Sequence, residues 1–330
     1  MASSGNIRLR FCCPRGGPVA VDVPSSLSRQ SGMLCGVAGS TRYLERGFAV
    51  GEVMLRLHEC IATIEQRLVL VAPPHATIPD VFRRVTVDSD RHKKLIHELQ
   101  ALRGGVYLNG GYLRALDASP NGLHQIPEDD RSWHLLMTNA RGHVGSCAWY
   151  LEHQNTTSFR HLRVHKSPLT QHIEWRDLLH AAVETEIGHA RRHGLRYAEL
   201  GGWAVSKERR SSSDGFMLAL AAYGLSRVLG GALGITAANA TNASSSMLRR
   251  LGGSYLEAPG TTLPAYFDPT YNTTVELLRF DSRRPSAKYV HLIELLRSEL
   301  TRVPVIVRWQ PRPDYYRTVA TTRMLPSRAS

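Results

Sequence analysis

A short polar stretch at residues 207–215 has the composition of a phosphate-binding loop. Lys207, Arg209 and Arg210 supply positive charge, and three consecutive serines lead on to Gly215. A helix-length apolar run follows, so the stretch precedes a helix N-terminus, where unpaired N–H groups and the helix dipole attract anions. Glycine there allows a ligand to approach the backbone closely. The same residues also suit an ordinary basic loop with a serine N-cap, and composition alone leaves both interpretations open.

The elements on either side of this loop follow the order strand, loop, helix, strand, helix. Residues 197–205 form a short apolar run that predicts a strand, and residues 216–229 predict a helix. A second strand is predicted at 232–238 and a second helix at 243–251, closed by Gly252-Gly253. This order places the loop at the end of a strand, where we expect the chemistry.

The register of this region resembles the central motif of the GNAT superfamily of N-acetyltransferases. In that motif a strand ending in Val is followed at fixed offsets by Arg, three glycines and Leu, and counting from Val205 gives Arg210, Gly215 and Leu218 at matching positions. Serines replace the other two glycines. The resemblance implies that the loop holds the pyrophosphate of coenzyme A or phosphopantetheine. The donor-binding residues it implies are Ala204, Val205, Arg210, Ser211, Ser213, Asp214, Gly215 and Asn239.

The order of motifs over residues 92–300 resembles a narrower group, the acyl-homoserine lactone synthases and the long-chain N-acyl amino acid synthases. An Arg-x-x-Val-Tyr segment, an acidic turn, a strand hairpin, a helix and Glu-Leu-x-x-x-Ala-Val follow one another. The run at 265–285 is more similar to the N-acyl amino acid synthase branch. The matching residues are Arg103, Tyr107, Tyr112, Glu128, Asp130, Gly145, Glu199, Leu200, Ala204 and Val205.

This resemblance implies a mixed α/β fold with a mostly antiparallel central sheet flanked by helices. It also implies an N-acyltransferase that moves an acyl chain from acyl carrier protein to an amine such as an amino acid. Those relatives carry Arg where Trp149 and Gly202 stand, so either the acceptor differs or the site is degenerate, and Trp149 could instead wall an apolar pocket. The implied substrate-binding residues are Arg103, Tyr107, Tyr112, Glu128, Asp130 and Trp149.

Direct attack of an amine on a thioester requires a base, an oxyanion site and an acid for the leaving thiolate. Glu199 is the candidate base, with a structural carboxylate paired to Arg103 or Arg196 as the alternative. Backbone N–H groups at 203–205 would bind the thioester oxygen if the strand splays there. The superfamily's usual Tyr acid is replaced by Leu248, which leaves Tyr255 as a candidate.

Other polar residues have a simpler interpretation beside the catalytic one. The acidic turn at 128–130 could grip an acceptor amine or be merely solvated. His134 and His143 are expected to be strand histidines rather than catalysts. Five cysteines without metal-ligand spacing predict free thiols in a reducing cytosol, with no metal site.

The formal net charge of +13 and a pI near 9.9 favour an anionic partner such as nucleic acid, an anionic membrane surface or an acidic protein. Acyl carrier proteins are acidic, so the charge favours carrier-bound over free coenzyme A donors. Two alternatives remain: an acetyl-coenzyme A-dependent acetyltransferase of a small amine, and a nucleic-acid-binding protein with an inactive acyltransferase fold. The charge is diffuse, which disfavours nucleic acid, and peripheral membrane contact stays open.

Three segments are predicted along the chain. Residues 1–90 form an N-terminal extension without an assigned function, 91–300 the acyltransferase domain, and 301–330 a basic tail. No apolar run is long enough to span a membrane and no signal peptide is evident, so a cytoplasmic location is expected.

Overall fold

The computed structural model describes residues 7–13, 16–23, 55, 57–114, 119–210 and 212–309. Strands β1 (Ile7–Cys13) and β2 (Gly16–Val23) pair antiparallel. Ser211, predicted to bind the donor, and most of the predicted basic tail lie outside the described residues. No helix in the described part of the chain is long and apolar enough to cross a membrane.

The long helices and the remaining strands follow one another in the predicted order around the central loop. The helices are α1 (Ser89–Asn109), α2 (Ile173–Arg192), α3 (Asp214–Val228), α4 (Ala243–Arg250) and α5 (Val290–Leu300). The first strands are β3 (Leu68–Val71), β4 (Val85–Val87), β5 (Trp133–Thr138), β6 (Val144–His153), β7 (Arg196–Val205) and β8 (Ala232–Asn239). The last are β9 (Ser254–Tyr255), β10 (Glu257–Ala258), β11 (Thr261–Thr262), β12 (Tyr266–Asp268), β13 (Thr273–Asp281) and β14 (Val305–Val307).

One large sheet organises the described chain, in the strand order β12-β13-β8-β7-β6-β5-β3-β14-β4, with β9 also paired to β13. Its pairings are antiparallel except β7–β8, β3–β14 and β14–β4. The predicted mixed α/β class with a mostly antiparallel sheet and flanking helices is therefore confirmed. Strands β3 and β4, within the predicted extension (1–90), and β14, within the predicted tail (301–330), belong to this same sheet. The domain boundaries at 90 and 300 stay a prediction.

The two faces of the sheet are covered by different helices. Helix α3 is apolar on nearly all sides and lies between the sheet and α5, where Leu218 and Leu225 join Leu292 and Leu296 in one core cluster. Helices α1 and α2 cover the opposite face. A sheet packed on both faces holds its strand ends rigidly, and the loop between β7 and α3 lies at one of those ends.

His134 in β5 is a buried strand histidine, as expected from the sequence. Its side chain is 1% exposed, and Nε2 donates to the backbone carbonyl oxygen of Asp129 at 2.8 Å. Burial lowers the pKa of His134 to about 4. The imidazole is therefore neutral in the folded protein over a range where the unfolded chain binds a proton.

Acidification is predicted to destabilise the fold through this histidine. Because the folded pKa lies below the unfolded value near 6.5, the stabilisation is complete above pH 6.5 and is lost as the pH falls toward 4. The unfolding free energy should fall by up to about 1.4 kcal/mol per pH unit for each proton that the unfolded chain binds and the folded protein does not. Urea unfolding measured from pH 7.5 to 4 should show that the unfolding free energy depends less steeply on pH for His134→Gln than for wild type. The exposed His143→Gln is the control, and an equal slope in both variants would contradict the assignment.

Candidate active site

The central feature of the candidate site is a fork between β7 and β8. The two strands pair in parallel from Arg196–Ala232 to Leu200–Thr236, and the pairing ends there. Beyond that point β7 stays paired with β6 as far as Val205, whereas β8 stays paired with β13 as far as Asn239. Residues 201–205 and 237–239 therefore form the two arms of an opening in the sheet.

A bulge in β7 starts the divergence. Between Trp149–Gly201 and Cys147–Ala204, β7 advances three residues while β6 advances two. Gly202 has a φ of +64°, a left-handed conformation that favours glycine. The extra residue changes the face on which later side chains lie, so that Ala204 packs on the α1 side with Cys147.

Two backbone N–H groups of β7 point into the fork. The N–H of Ser206 donates to the carbonyl oxygen of Gly145 at 2.9 Å, and Ala204 pairs with Cys147 on β6. Because N–H directions alternate along a strand, those of Trp203 and Val205 point away from β6, toward the arm that β8 has left. The strand therefore splays where an oxyanion site at 203–205 was predicted to require it.

Tyr107 at the C-terminal end of α1 contacts the same arm. Its hydroxyl donates to the carbonyl oxygen of Trp203 at 3.3 Å. Burial raises the pKa of Tyr107, so the hydroxyl stays protonated and remains a donor. This bond satisfies a carbonyl that would otherwise repel a developing oxyanion beside it.

The loop between β7 and α3 is anchored by Asp214, whose side chain points inward. The buried carboxylate accepts hydrogen bonds from Arg67 Nη2 and Ser146 Oγ, both at 2.8 Å, and from Arg209 Nε. Arg209 in turn lies across Gly145, where an added Cβ would come within 2.5 Å of its Cδ. The side chains of Asp214 and Arg209 are therefore committed within the protein, and the N–H of Asp214 donates to Ser212 Oγ at 3.2 Å. The predicted donor contact of Asp214 stays a prediction.

Lys207 and Arg210 are exposed, and they give the loop a positive surface next to the N-terminus of α3. Ser213 is the buried N-cap residue, and its carbonyl accepts from the N–H of Met217 at 2.8 Å. A Cβ on Gly215 would meet only Val205 Cγ2 at 3.6 Å, an ordinary contact. The protein's own packing does not require this glycine, which suits a role in close approach by a ligand.

A cluster of half-buried aromatic rings lies on the α1 side of the fork. The ring centroids of Tyr107, His124 and Tyr271 are 5.0, 5.9 and 5.9 Å apart. Burial, together with the charges of Arg103 and Arg163, lowers the pKa of His124 to about 4. The imidazole is therefore neutral at physiological pH.

Arg163 and Glu128 form an ion pair at the edge of this aromatic cluster. Arg163 Nη1 donates to Glu128 Oε2 at 2.8 Å, and Nη2 donates to the hydroxyl of Tyr271 at 2.6 Å. The Arg163 side chain is 32% exposed, so it retains access to solvent. Asp130, predicted to act with Glu128, is exposed and outside the cluster.

The buried carboxylate of Glu199 is surrounded by donors from the protein itself. It accepts from His153 Nε2 at 2.9 Å, from the N–H of Arg163 at 2.9 and 3.1 Å, and from the N–H of Val164 at 3.4 Å. This arrangement is that of a structural carboxylate, the alternative to a general base, although its partners are not the expected Arg103 or Arg196. Glu199 holds the segment that carries Arg163.

Arg103 is also committed to the fold. Its buried guanidinium donates to both oxygens of Asp129 at 2.8 and 2.6 Å and to the carbonyl oxygen of His124 at 2.7 Å. These bonds fix the acidic turn (Pro127–Asp130) and the His124 backbone against α1. Arg103 therefore positions the aromatic cluster, and its substrate contact stays a prediction.

Trp149 fills the space above the bulge. Its indole lies across Gly201 and Gly202, where an added Cβ on either glycine would overlap the ring. Trp149 and Gly202 are thus coupled by packing, because a side chain on residue 202 would occupy the space of the indole. Trp149 is 3% exposed and is part of the protein core beside the fork.

The remaining predicted residues lie around α4. Asn239 Oδ1 accepts from both the N–H and the hydroxyl of Thr241 at 2.7 Å, and Tyr112 accepts a 3.4 Å bond from Asn242. Tyr255 lies on the far side of β13 from β8, with its hydroxyl 3.4 Å from Glu276 Oε1. The structure does not bring Tyr255 together with the fork.

Among the described residues, no three His, Cys, Asp or Glu side chains lie close enough to hold a metal ion. Sequence reasoning missed His124, Arg163 and Tyr271, which come from two separate loops and a short 3-10 helix (Arg163–Lys166). No local motif marks them, and only the tertiary contacts place them together.

The chain matches no protein-family model and no curated protein. Among solved structures it is similar to BjaI, a CoA-dependent acyl-homoserine lactone synthase solved with SAM and isopentyl-CoA, at 13% identity and a TM-score of 0.45, covering 77% of this chain and 99% of that one. It is similar to FeeM, an N-acyl amino acid synthase from uncultured soil microbes, at 11% identity and a TM-score of 0.39, covering 61% and 90%. It is also similar to the AHL synthase LasI, at 16% identity and a TM-score of 0.36, covering 58% and 84%.

These structures belong to the classes that the motif order resembles, and the likeness concerns the fold. At such low identities and TM-scores it carries no argument about substrates. Any assignment of chemistry therefore depends on the fork and the residues around it.

Replacing Glu199 by Gln is predicted to lower stability as well as turnover. The amide nitrogen would face donors that now meet carboxylate oxygens, leaving at least one buried group unpaired at a cost of about 1–3 kcal/mol. Denaturant unfolding measures this directly. A variant with wild-type stability but greatly reduced turnover would instead favour the general-base role.

Two neighbouring arginines are predicted to respond differently to charge reversal. Arg209→Glu would place a carboxylate beside the buried Asp214 and should lower the melting temperature by several degrees. Arg210→Glu, at an exposed position, should leave melting nearly unchanged while abolishing donor binding. Calorimetry with donor titration tests both, and equal melting of the two variants would contradict the inward anchoring of Arg209.

Proposed function

We propose that the protein is an N-acyltransferase that moves an acyl group from a phosphopantetheine thioester to the amine of an amino acid. The observation that carries the proposal is the fork: two strand N–H groups face an opening, and the strand that carries them leads into a cationic helix N-terminus. Such donors stabilise the oxygen of a tetrahedral intermediate. The helix N-terminus with Lys207 and Arg210 suits the donor's phosphate.

The acceptor amine approaches from the α1 side in this proposal. Arg163 and Glu128 offer one positive and one negative group side by side, which complements the carboxylate and ammonium of a zwitterion. Tyr107 and Tyr271 supply ring surface next to them. Glu199 acts on the acceptor indirectly, by holding the segment that carries Arg163.

The assay for this function offers purified protein a panel of acyl thioesters and amines and detects amide products by mass spectrometry. The proposal expects transfer to amino acids, with released thiol equal to amide formed. Absence of transfer from every thioester to every amine would reject it.

Removal of the Arg163 charge is predicted to change acceptor preference. Wild type should favour an amino acid over its decarboxylated amine. Arg163→Gln should lose about tenfold or more of kcat/KM for the amino acid, as expected when a charged hydrogen bond worth about 1.5–3 kcal/mol is removed, with little loss for the amine. The control is Arg191→Gln, since among the described residues that exposed arginine donates to the backbone carbonyls of Asn155 and Thr157. An equal loss for both acceptors would reject the carboxylate contact.

We further propose that the donor is carried by an acidic acyl carrier protein. Lys207 and Arg210 remain available to a partner, whereas Arg209 does not. Electrostatic steering acts on association rate and is screened over about 8 Å at physiological salt. Carrier-dependent turnover should therefore fall steeply as salt rises from roughly 50 to 500 mM, and turnover with a small thioester should not.

The variant Lys207→Glu/Arg210→Glu should reproduce the salt effect at low ionic strength. The matched control reverses two exposed charges elsewhere, Lys166 and Arg192. If acetyl-coenzyme A gives a higher kcat/KM than acyl carrier protein, without salt dependence, the donor is free coenzyme A and the small-amine acetyltransferase is the better description.

A further inference from the structure

Trp149 carries a buried hydrogen-bond donor that no described residue satisfies. Its side chain is 3% exposed, and Nε1 has no partner among the residues that the structure describes. An unpaired buried N–H costs about 1–3 kcal/mol, and nearly all such groups in folded proteins are paired. A donor of this kind beside a candidate site indicates a ligand acceptor.

The position of this N–H relative to the fork indicates which ligand atom it meets. Trp149 Nε1 lies 2.6 Å from the point where a Cβ of Gly202 would stand, and Arg103 Nη1 lies 3.2 Å from the same point. Gly202 is the bulge residue, and the next residue, Trp203, contributes the first N–H of the fork. An indole donor, a guanidinium and a backbone donor thus surround the start of the opening.

The indole is also held rigidly, as a preorganised donor must be. Gly201 and Gly202 leave no room for the ring to move toward β7, and on β6 Trp149 pairs with His134 of β5. Preorganised donors stabilise charge that develops in the transition state without reorganising at that moment. A neutral N–H stabilises that charge without attracting the carboxylate of an acceptor.

We propose that Trp149 is a catalytic residue whose indole N–H donates a hydrogen bond to the thioester oxygen as it becomes an oxyanion. The inference rests on the proposed acyl transfer. The amine nitrogen bonds to the carbonyl carbon, and the C=O electron pair moves onto oxygen, where Trp149 and the fork amides donate. When the C=O bond re-forms, the C–S bond breaks and its electron pair leaves on sulfur. The nitrogen loses one proton and the thiolate gains one, whereas Trp149 keeps its own.

The first test is Trp149→Phe, which keeps an aromatic ring and removes the N–H. Loss of one oxyanion donor typically costs about 10²–10³-fold in kcat, and we expect a decrease of that order with a much smaller rise in donor KM, since the hydrogen bond to the ground-state carbonyl is weaker than the bond to the oxyanion. Stability should fall modestly, because the smaller ring leaves a cavity in the core while the removal of an unpaired donor offsets part of that cost. Tyr223→Phe is the control: it also removes a buried unpaired donor, from α3, and should leave kcat unchanged.

A second test does not depend on turnover. Protein labelled with ¹⁵N-tryptophan should show five indole N–H signals, one for each Trp, and the signal missing from Trp149→Phe identifies Trp149. Titration with a donor analogue in which a methylene replaces the thioester sulfur, leaving the carbonyl in place, should move that signal downfield. An unmoved signal at saturating analogue, or a Trp149→Phe enzyme with wild-type kcat, overturns the inference. Absence of acyl transfer by wild type would instead reject the proposed function.

Discussion

The structure depends on one backbone constraint: β7 cannot continue its pairing with β8 beyond Leu200. At one end of the divergent segment the bulge at Gly202 turns the strand. At the other end, Ser206 bonds to Gly145 and Asp214 bonds to Ser146, so β7 is held against β6. Strand N–H groups inside a sheet are normally paired, and those facing the fork are therefore available to a ligand carbonyl.

The basic residues near the fork differ in whether they are paired within the protein. Arg209 and Arg103 are bonded to buried carboxylates, Asp214 and Asp129, and stabilise the loop and the acidic turn from within. Lys207 and Arg210 remain exposed at the end of β7. The location of these exposed charges, rather than the total of +13, gives the proposed donor site its electrostatic character.

The sequence predicted the order of elements around the fork because their apolar periodicity and turn residues are local signals. It could not predict that Asp214 points inward, since its partner Arg67 lies 147 residues away. Nor could it predict that Trp149 and Gly202 depend on each other, because only the packing of the indole on the glycine couples them. Strand β14 was missed because it has only three residues, and these form a strand by pairing with β3 and β4, which are distant in sequence.

If the fork receives the carbonyl of the acyl donor, that carbonyl must protect the strand amides that face it. Hydrogen–deuterium exchange, measured with and without a non-transferable donor analogue that retains the carbonyl, detects this protection. We expect slower exchange at the amides of Trp203 and Val205 and in the first turn of α3, with β4 and β14 unchanged. Binding of the analogue without protection at 203–205, or with protection only elsewhere on the sheet, would contradict this role of the fork.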